Sequence, residues 1–198
     1  MKNLILEDDS RLSICRKNAF AFLSLFLFVV LIYSNSFHAS WHLDDGPNIT
    51  ENRRLHLEQL SWSEIKKTLL STPASSRIEF FRPVSRFSLA LNYYLGKTEV
   101  LGYHIVNVSI HIIASFFLYL FLHRLLNLPP LRKEYGPYSY FVALLATAFW
   151  TIHPIQTQAV TYVVQRMASL AGMFYIMAMY FYVRAEGSGC KRTRVTLL

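Results

Sequence analysis

Four long apolar runs, set apart by polar connections, constrain this chain more than any other feature. Ala19 to Tyr33 is continuous, and carried on to Phe37 it reaches the roughly twenty residues that a helix needs to cross a bilayer. Val100 to Leu126 is the second run. Phe141 to Ile152, continuing from Tyr140 and completed by residues on either side, is the third, and Met167 to about Val183 is the fourth. Only 16% of the residues are charged, against about 25% in soluble domains. The expectation is an all-α integral membrane protein with about four transmembrane helices and a long outer loop containing amphipathic helices. The basic flank, first apolar run and following His-Ala-Ser also resemble a secretory signal peptide. The run is long for that, and more spans follow, which favours an uncleaved anchor.

Charge orients the chain. The net charge is +8, but Lys and Arg are scattered between the apolar runs and form no stripe, so nucleic acid is not an expected partner. They read instead as topology signals and lipid-phosphate contacts. The tail 1–18, the connection 127–139 and the tail 185–198 are all basic, and alternation over four spans puts them on one side. The positive-inside rule makes that side cytoplasmic. Residues 19–126 then hold the first two spans with an outer loop at about 38–99, and residues 140–184 hold the third and fourth with an outer HPIQTQAV segment. Cys15 and Cys190 lie near opposite ends with no ligand spacing, so neither a disulfide framework nor a cysteine zinc site is expected. Oligomeric state is not legible.

Two helices are expected in the outer loop. Ser61-Trp62-Ser63-Glu64 reads as a capping box opening a helix through Leu70, which Pro73 to Ser76 then breaks. Pro83 suits the first position of another, whose Val84, Phe87, Leu91 and Leu95 recur at helical spacing. That stripe fits a helix lying along a membrane surface, and a packed soluble helix would show the same pattern. In the second span His104, Asn107 and His111 share one face. They read either as polar contacts inside a bundle or as the wall of a cavity.

The segment after the first span, HASWHLDDGPNIT, holds an adjacent acidic pair, Asp44 and Asp45, ahead of a Gly46-Pro47 turn. Trp41 suits a membrane–water boundary. On the residues alone the pair is either a solvated turn with a helix cap or the acid of a site. No P-loop, GxGxxG, HExxH or EF-hand loop is present.

WHLDDGPNI, FRPVSRFSLALNYYLG, GYHIVNVSIHII and HPIQTQAVTYVVQRMASLAGMFY, taken in this order, resemble the N-terminal membrane part of the transmembrane and tetratricopeptide-repeat proteins. These are O-mannosyltransferase relatives of the GT-C glycosyltransferase fold, and the resemblance runs from about Phe20 to Ala185. It implies a partial GT-C-like fold, a polyprenyl-phosphate-sugar donor, a protein or other hydroxyl acceptor on the outer face, and a carboxylate in the first outer loop. A base must take the acceptor's proton, and Asp serves once positioned. Neighbouring side chains in a turned segment point apart, so one of Asp44 and Asp45 faces substrate. Asp44 is the choice, with Asp45 in the turn or cap role. Arg82, Arg86 and Arg166 are candidates for the donor phosphate, each also readable as a snorkelling interfacial arginine. His153 and Gln156 join His104, Asn107 and His111 as candidate pocket-lining residues, and His153 alternatively ends the third span. No metal ligand set is found, so neither metal nor cofactor is expected beyond the donor itself. The family's many bacterial members point to a bacterial inner membrane.

This chain departs from the family where it has Gln158, and where Gln165-Arg166-Met167-Ala168 stands in place of Gly-Arg-Ala-Asp. A complete enzyme of this type has more spans and C-terminal repeats, so the chain reads as a truncated or frame-shifted fragment whose pocket lacks walls. The alternative function is non-catalytic: a four-span anchor or scaffold that binds a partner or lipid through its outer loop. A transporter is disfavoured, because the spans lack the acidic residues that relay ions.

Overall fold

The computed structural model describes residues 2–42, 44–70 and 82–186. Among them every regular element is helical: α1 (Lys2–Ile32), α2 (Trp62–Leu70), α3 (Pro83–Gly96), α4 (Val100–Leu126), α5 (Pro129–Tyr135), α6 (Ser139–Ile152), α7 (Gln156–Thr161) and α8 (Arg166–Glu186). The all-α expectation holds. The expected break at Pro73 to Ser76 and the tail beyond Glu186 lie outside the described residues.

Among the described residues, two helices are long and apolar enough to cross a membrane, over Ile14–Ile32 and Val100–Leu126. At 1.5 Å per residue, α4 is about 40 Å long, more than the hydrocarbon core requires. The third and fourth spans are not established in this way. His153 leaves helical geometry ahead of Pro154, ending α6 after 14 residues. Pro disfavours helical geometry in the residue before it, which is why the run stops there. α8 has 21 residues, but Tyr175, Tyr180 and Tyr182 make it less apolar. The first helix also begins earlier than the apolar run, at Lys2.

α4 is the central post, against which α1, α3, α6, α7 and α8 all pack. Its two ends are held differently. At one end Leu25, Ala21, Tyr119 and Ala143 form a buried apolar cluster. There Tyr119 Oη donates to Asn18 Oδ1 at 3.0 Å, and Asn127 Nδ2 donates to Ser139 Oγ at 2.8 Å. At the other end gather the 38–56 loop, α3 and the 151–166 segment, around a second cluster of Ile49, Leu55, Leu89, Tyr103 and Val163. The segments expected to share an outer face do share this end.

The two loop helices form where expected. Ser61 Oγ accepts from the Glu64 amide at 3.3 Å, and Pro83 takes the first turn of α3. α3 divides its apolar residues between a buried and an exposed side. Ser85, Leu89, Ala90 and Asn92 are buried, while Val84 and Leu95 of the apolar stripe are exposed. The exposed Val84 and Leu95 suit an interfacial helix, and the polar side chains buried beside Leu89 and Ala90 need partners.

Those partners begin with Arg166. Midway along α4, a separate polar chain joins α1, α4 and α6. Tyr33 Oη donates to the Thr151 carbonyl at 3.2 Å, and His111 Nε2 lies 3.0 Å from the same oxygen. Thr151 Oγ1 donates to Ser115 Oγ at 2.9 Å, which donates to the His111 carbonyl at 2.7 Å.

Candidate functional site

The acidic pair divides into one anchored and one exposed residue. Asp45 is fully buried, and its Oδ1 accepts from the Val164 amide at 2.8 Å, 119 residues along the chain. Its Oδ2 accepts from the His42 amide at 3.1 Å, closing a turn that also has an Asp45 N–H to His42 carbonyl bond of 2.6 Å. Asp44 is exposed. Its backbone is held, because the Asn48 amide and Asn48 Nδ2 both donate to the Asp44 carbonyl, at 3.3 and 2.7 Å. Its carboxylate has no hydrogen bond or ion pair among the described residues. A fixed backbone carrying an open carboxylate is the arrangement a general base requires.

The loop that carries the pair is fastened by aromatic contacts. Trp41 stacks edge-on against Tyr103 at 4.9 Å, and its Nε1 donates to the Thr98 carbonyl at 3.2 Å. Tyr103 Oη donates to the Lys97 carbonyl at 2.9 Å, across the short turn where Lys97 adopts a φ of 51°. Holding that carbonyl helps to offset the strain of a left-handed non-glycine residue. His42 stacks on Tyr162 at 5.0 Å. Trp41 therefore packs within the protein as well as suiting a boundary.

Arg166, the first residue of α8, is fully buried. Its Nε donates to Asn107 Oδ1 at 2.7 Å and its Nη1 to Asn92 Oδ1 at 2.6 Å. Its Nη2 donates to the Tyr103 carbonyl at 2.9 Å, and the guanidinium sits 5.6 Å from the Tyr103 ring. Asparagine amides complete the frame: Asn92 Nδ2 donates to the Gly102 carbonyl at 3.1 Å, and Asn107 Nδ2 to the Tyr162 carbonyl at 3.0 Å. A buried guanidinium must find acceptors, and these are all neutral. A phosphate reaching Arg166 would have to displace one of them. The expected phosphate contact is not open as the helices stand.

The other candidates are placed as follows. Arg82 is exposed at the N-cap of α3, and Arg86 follows one turn on, half-buried and engaged. His104, Asn107 and His111, candidates for a pocket wall, are all buried inside the bundle. His104 Nε2 lies 3.2 Å from the Ala39 carbonyl, while its buried Nδ1 has no hydrogen-bond partner among the described residues. His153 is exposed and accepts from the Ile155 amide through Nδ1 at 3.2 Å, the span-ending role, and Gln156 opens α7 half-buried. A cavity of about 400 Å³ opens in the loop region, lined by Arg53, Arg54, His56, Glu58, Gln59 and Glu64. Sequence reasoning missed Asn92, Tyr103 and the Val164 amide. Asn92, polar between Leu91 and Tyr93 on the loop helix, was the available signal. The amide carried none.

The chain is similar to proteins named protein O-mannosyl-transferases. It is 29% identical over 129 residues to one from Caenorhabditis elegans, covering 65% of this chain and 17% of that protein. It is 28% identical over 163 residues to human TMTC3, covering 80% of this chain and 16% of that protein. Human TMTC4 is 25% identical over 166 residues, covering 79% and 22% respectively. The chain spans about a fifth of the length of these relatives. No protein-family model matches it, and no solved structure matches at a significant level. These relatives are animal proteins and lend nothing to a bacterial inner membrane. With the four motifs in order, the matches support kinship between this chain and the transmembrane and tetratricopeptide-repeat O-mannosyltransferase-like proteins.

Proposed function

We propose that this chain forms the N-terminal membrane part of a GT-C-type glycosyltransferase, which moves a mannose-like sugar from a polyprenyl-phosphate donor to a protein hydroxyl on the outer face. The observation that carries the reading is the split acidic pair, with Asp45 buried on two backbone amides and Asp44 held at its backbone with an open carboxylate. In the reaction Asp44 takes the proton of the acceptor hydroxyl as its oxygen bonds to the anomeric carbon. The bond from that carbon to the phosphate oxygen breaks, and the electron pair leaves with the lipid phosphate. Charge growing on that phosphate calls for cations. Arg82 and Arg86 stand at the N-terminal turn of α3, where the helix dipole adds partial positive charge. The exposed Val84 and Leu95 of α3 would hold that turn at headgroup level.

In this reading the protein is multi-pass, with α6 and α8 as the third and fourth spans and both termini cytoplasmic. The donor is a substrate, and no metal or cofactor is invoked. The test is transfer from polyprenyl-phosphate mannose to a Ser/Thr-rich polypeptide, with this chain extended by the remainder of such an enzyme and placed in liposomes. Asp44→Asn should lower transfer about 100-fold or more at unchanged membrane abundance. Undiminished transfer by that variant would sink the assignment. No transfer by the extended protein would favour the anchor or scaffold reading.

A further inference from the structure

We propose that Arg166 is a positioning residue for the acidic loop, acting through the Val164 amide and Asp45. The inference rests on the Asp44 reading only in its last step. Arg166 stands where a cation is least welcome: fully buried, at the positive end of a 21-residue helix, with no acidic acceptor among its bonded partners. The nitrogens of its fork tie two helices to the start of α8. Nε reaches Asn107 on α4, Nη1 reaches Asn92 on α3, and Nη2 reaches the carbonyl of Tyr103 on the first turn of α4. The backbone that leads into Arg166 is held by the same group of residues. Asn107, while accepting from Nε, donates through Nδ2 to the carbonyls of Val160 and Tyr162, at 3.3 and 3.0 Å.

That held segment is the one that presents the Val164 amide to Asp45, two residues before the arginine. Asp45 in turn closes the turn from His42. Asp44 is its covalent neighbour. The path from guanidinium to open carboxylate thus consists of one fixed strip of backbone, one amide–carboxylate bond and one peptide unit. Lysine does not reproduce it, because an ammonium has no planar fork with which to meet three acceptors on two helices. The geometry therefore makes Arg166 part of the mounting of Asp44 rather than an open ligand for phosphate.

Hydrogen exchange on the purified chain in lipid nanodiscs tests this without requiring turnover. Arg166→Lys and Arg166→Met should each raise exchange at least tenfold in residues 40–50 and 158–166. The end bounded by Asn18, Tyr119 and Ser139 should stay unchanged. Asp45→Asn should raise exchange in 158–166, and the double variant should exceed neither single variant by more than twofold, because both break one path. Should the arginine variants fail to fold, Asn92→Ala removes a single acceptor on α3 and should loosen 40–50 by a smaller factor. Where transfer is observed, Arg166→Lys should lower kcat and leave the donor KM within twofold.

Two results would overturn the proposal. One is unchanged exchange in residues 40–50 in all the Arg166 and Asn92 variants. The other is protection of the loop by added polyprenyl phosphate that disappears with Arg166→Lys, which would make the arginine a phosphate ligand. Failure of Asp44 in the transfer assay would leave the exchange prediction standing, so the two readings fail separately.

Discussion

The two ends of α4 solve the same packing problem with different chemistry. At the end near Asn18 and Ser139, small and apolar residues allow close approach, with Ala21 and Ala143 fully buried beside Leu25 and Tyr119. Small residues suit helix contacts in lipid, where apolar burial gives little drive and close backbone approach supplies the attraction. At the end near Asp45, α3, α4 and α8 meet through one guanidinium, two asparagine amides and a tyrosine carbonyl. Hydrogen bonds are directional and dispersion contacts are not, so the second end specifies position more sharply. Sharp positioning is wasted on a mere anchor. Its location at the end that carries Asp44 is what favours a site there.

Breaking each end in turn should rank the two. The largest loss is expected for Arg166→Leu, which strands the oxygens of Asn92, Asn107 and Tyr103 away from water. Each stranded acceptor costs about 1–3 kcal/mol, so a total of at least about 3 kcal/mol should appear as a lower midpoint of unfolding in detergent. Leu25→Ala at the opposite end opens space beside Tyr119 and should cost about 2–3 kcal/mol by the same measurement. A larger loss for Leu25→Ala than for Arg166→Leu would reverse the comparison. Tyr119→Phe removes only the bond to Asn18 and should cost about 1 kcal/mol. Asp44→Asn should change stability by no more than about 0.5 kcal/mol, since the carboxylate is exposed and has no partner among the described residues, while transfer is lost. A clear loss of stability there would show that Asp44 is part of the frame after all.

Much of the fold was legible in the residues because the signals were local. The Ser61 cap, Pro83 at the start of α3 and His153-Pro154 at the end of α6 each act within a turn of the chain. Length and apolarity likewise marked the runs beginning at Ala19 and Val100, which overlap the helical stretches Ile14–Ile32 and Val100–Leu126 that are long and apolar enough to cross a membrane. The count of four spans was less secure, because α6 is short and the tyrosines of α8 dilute its apolarity. The orientation of α3 was legible only in part. Its stripe of Val84, Phe87, Leu91 and Leu95 marks one face, but a stripe does not say whether that face meets protein or lipid.

The candidate site shows the same division. Asp44 and Asp45 are chemically identical, and the motif order singled out the pair because both lie in one stretch of sequence. Their separation into an open and an anchored carboxylate depends on the Val164 amide, which any residue other than proline would supply and no side-chain pattern announces. Arg166 was readable as a cation near the same face, but whether a guanidinium meets phosphate or asparagine depends on which helices surround it. By itself the sequence determined helical segments, their apolar lengths and the motifs of kinship, because these follow from neighbouring residues and from composition. Tertiary structure alone decided which polar side chains turn inward, since a buried donor takes whatever acceptor the packing of distant segments brings within reach.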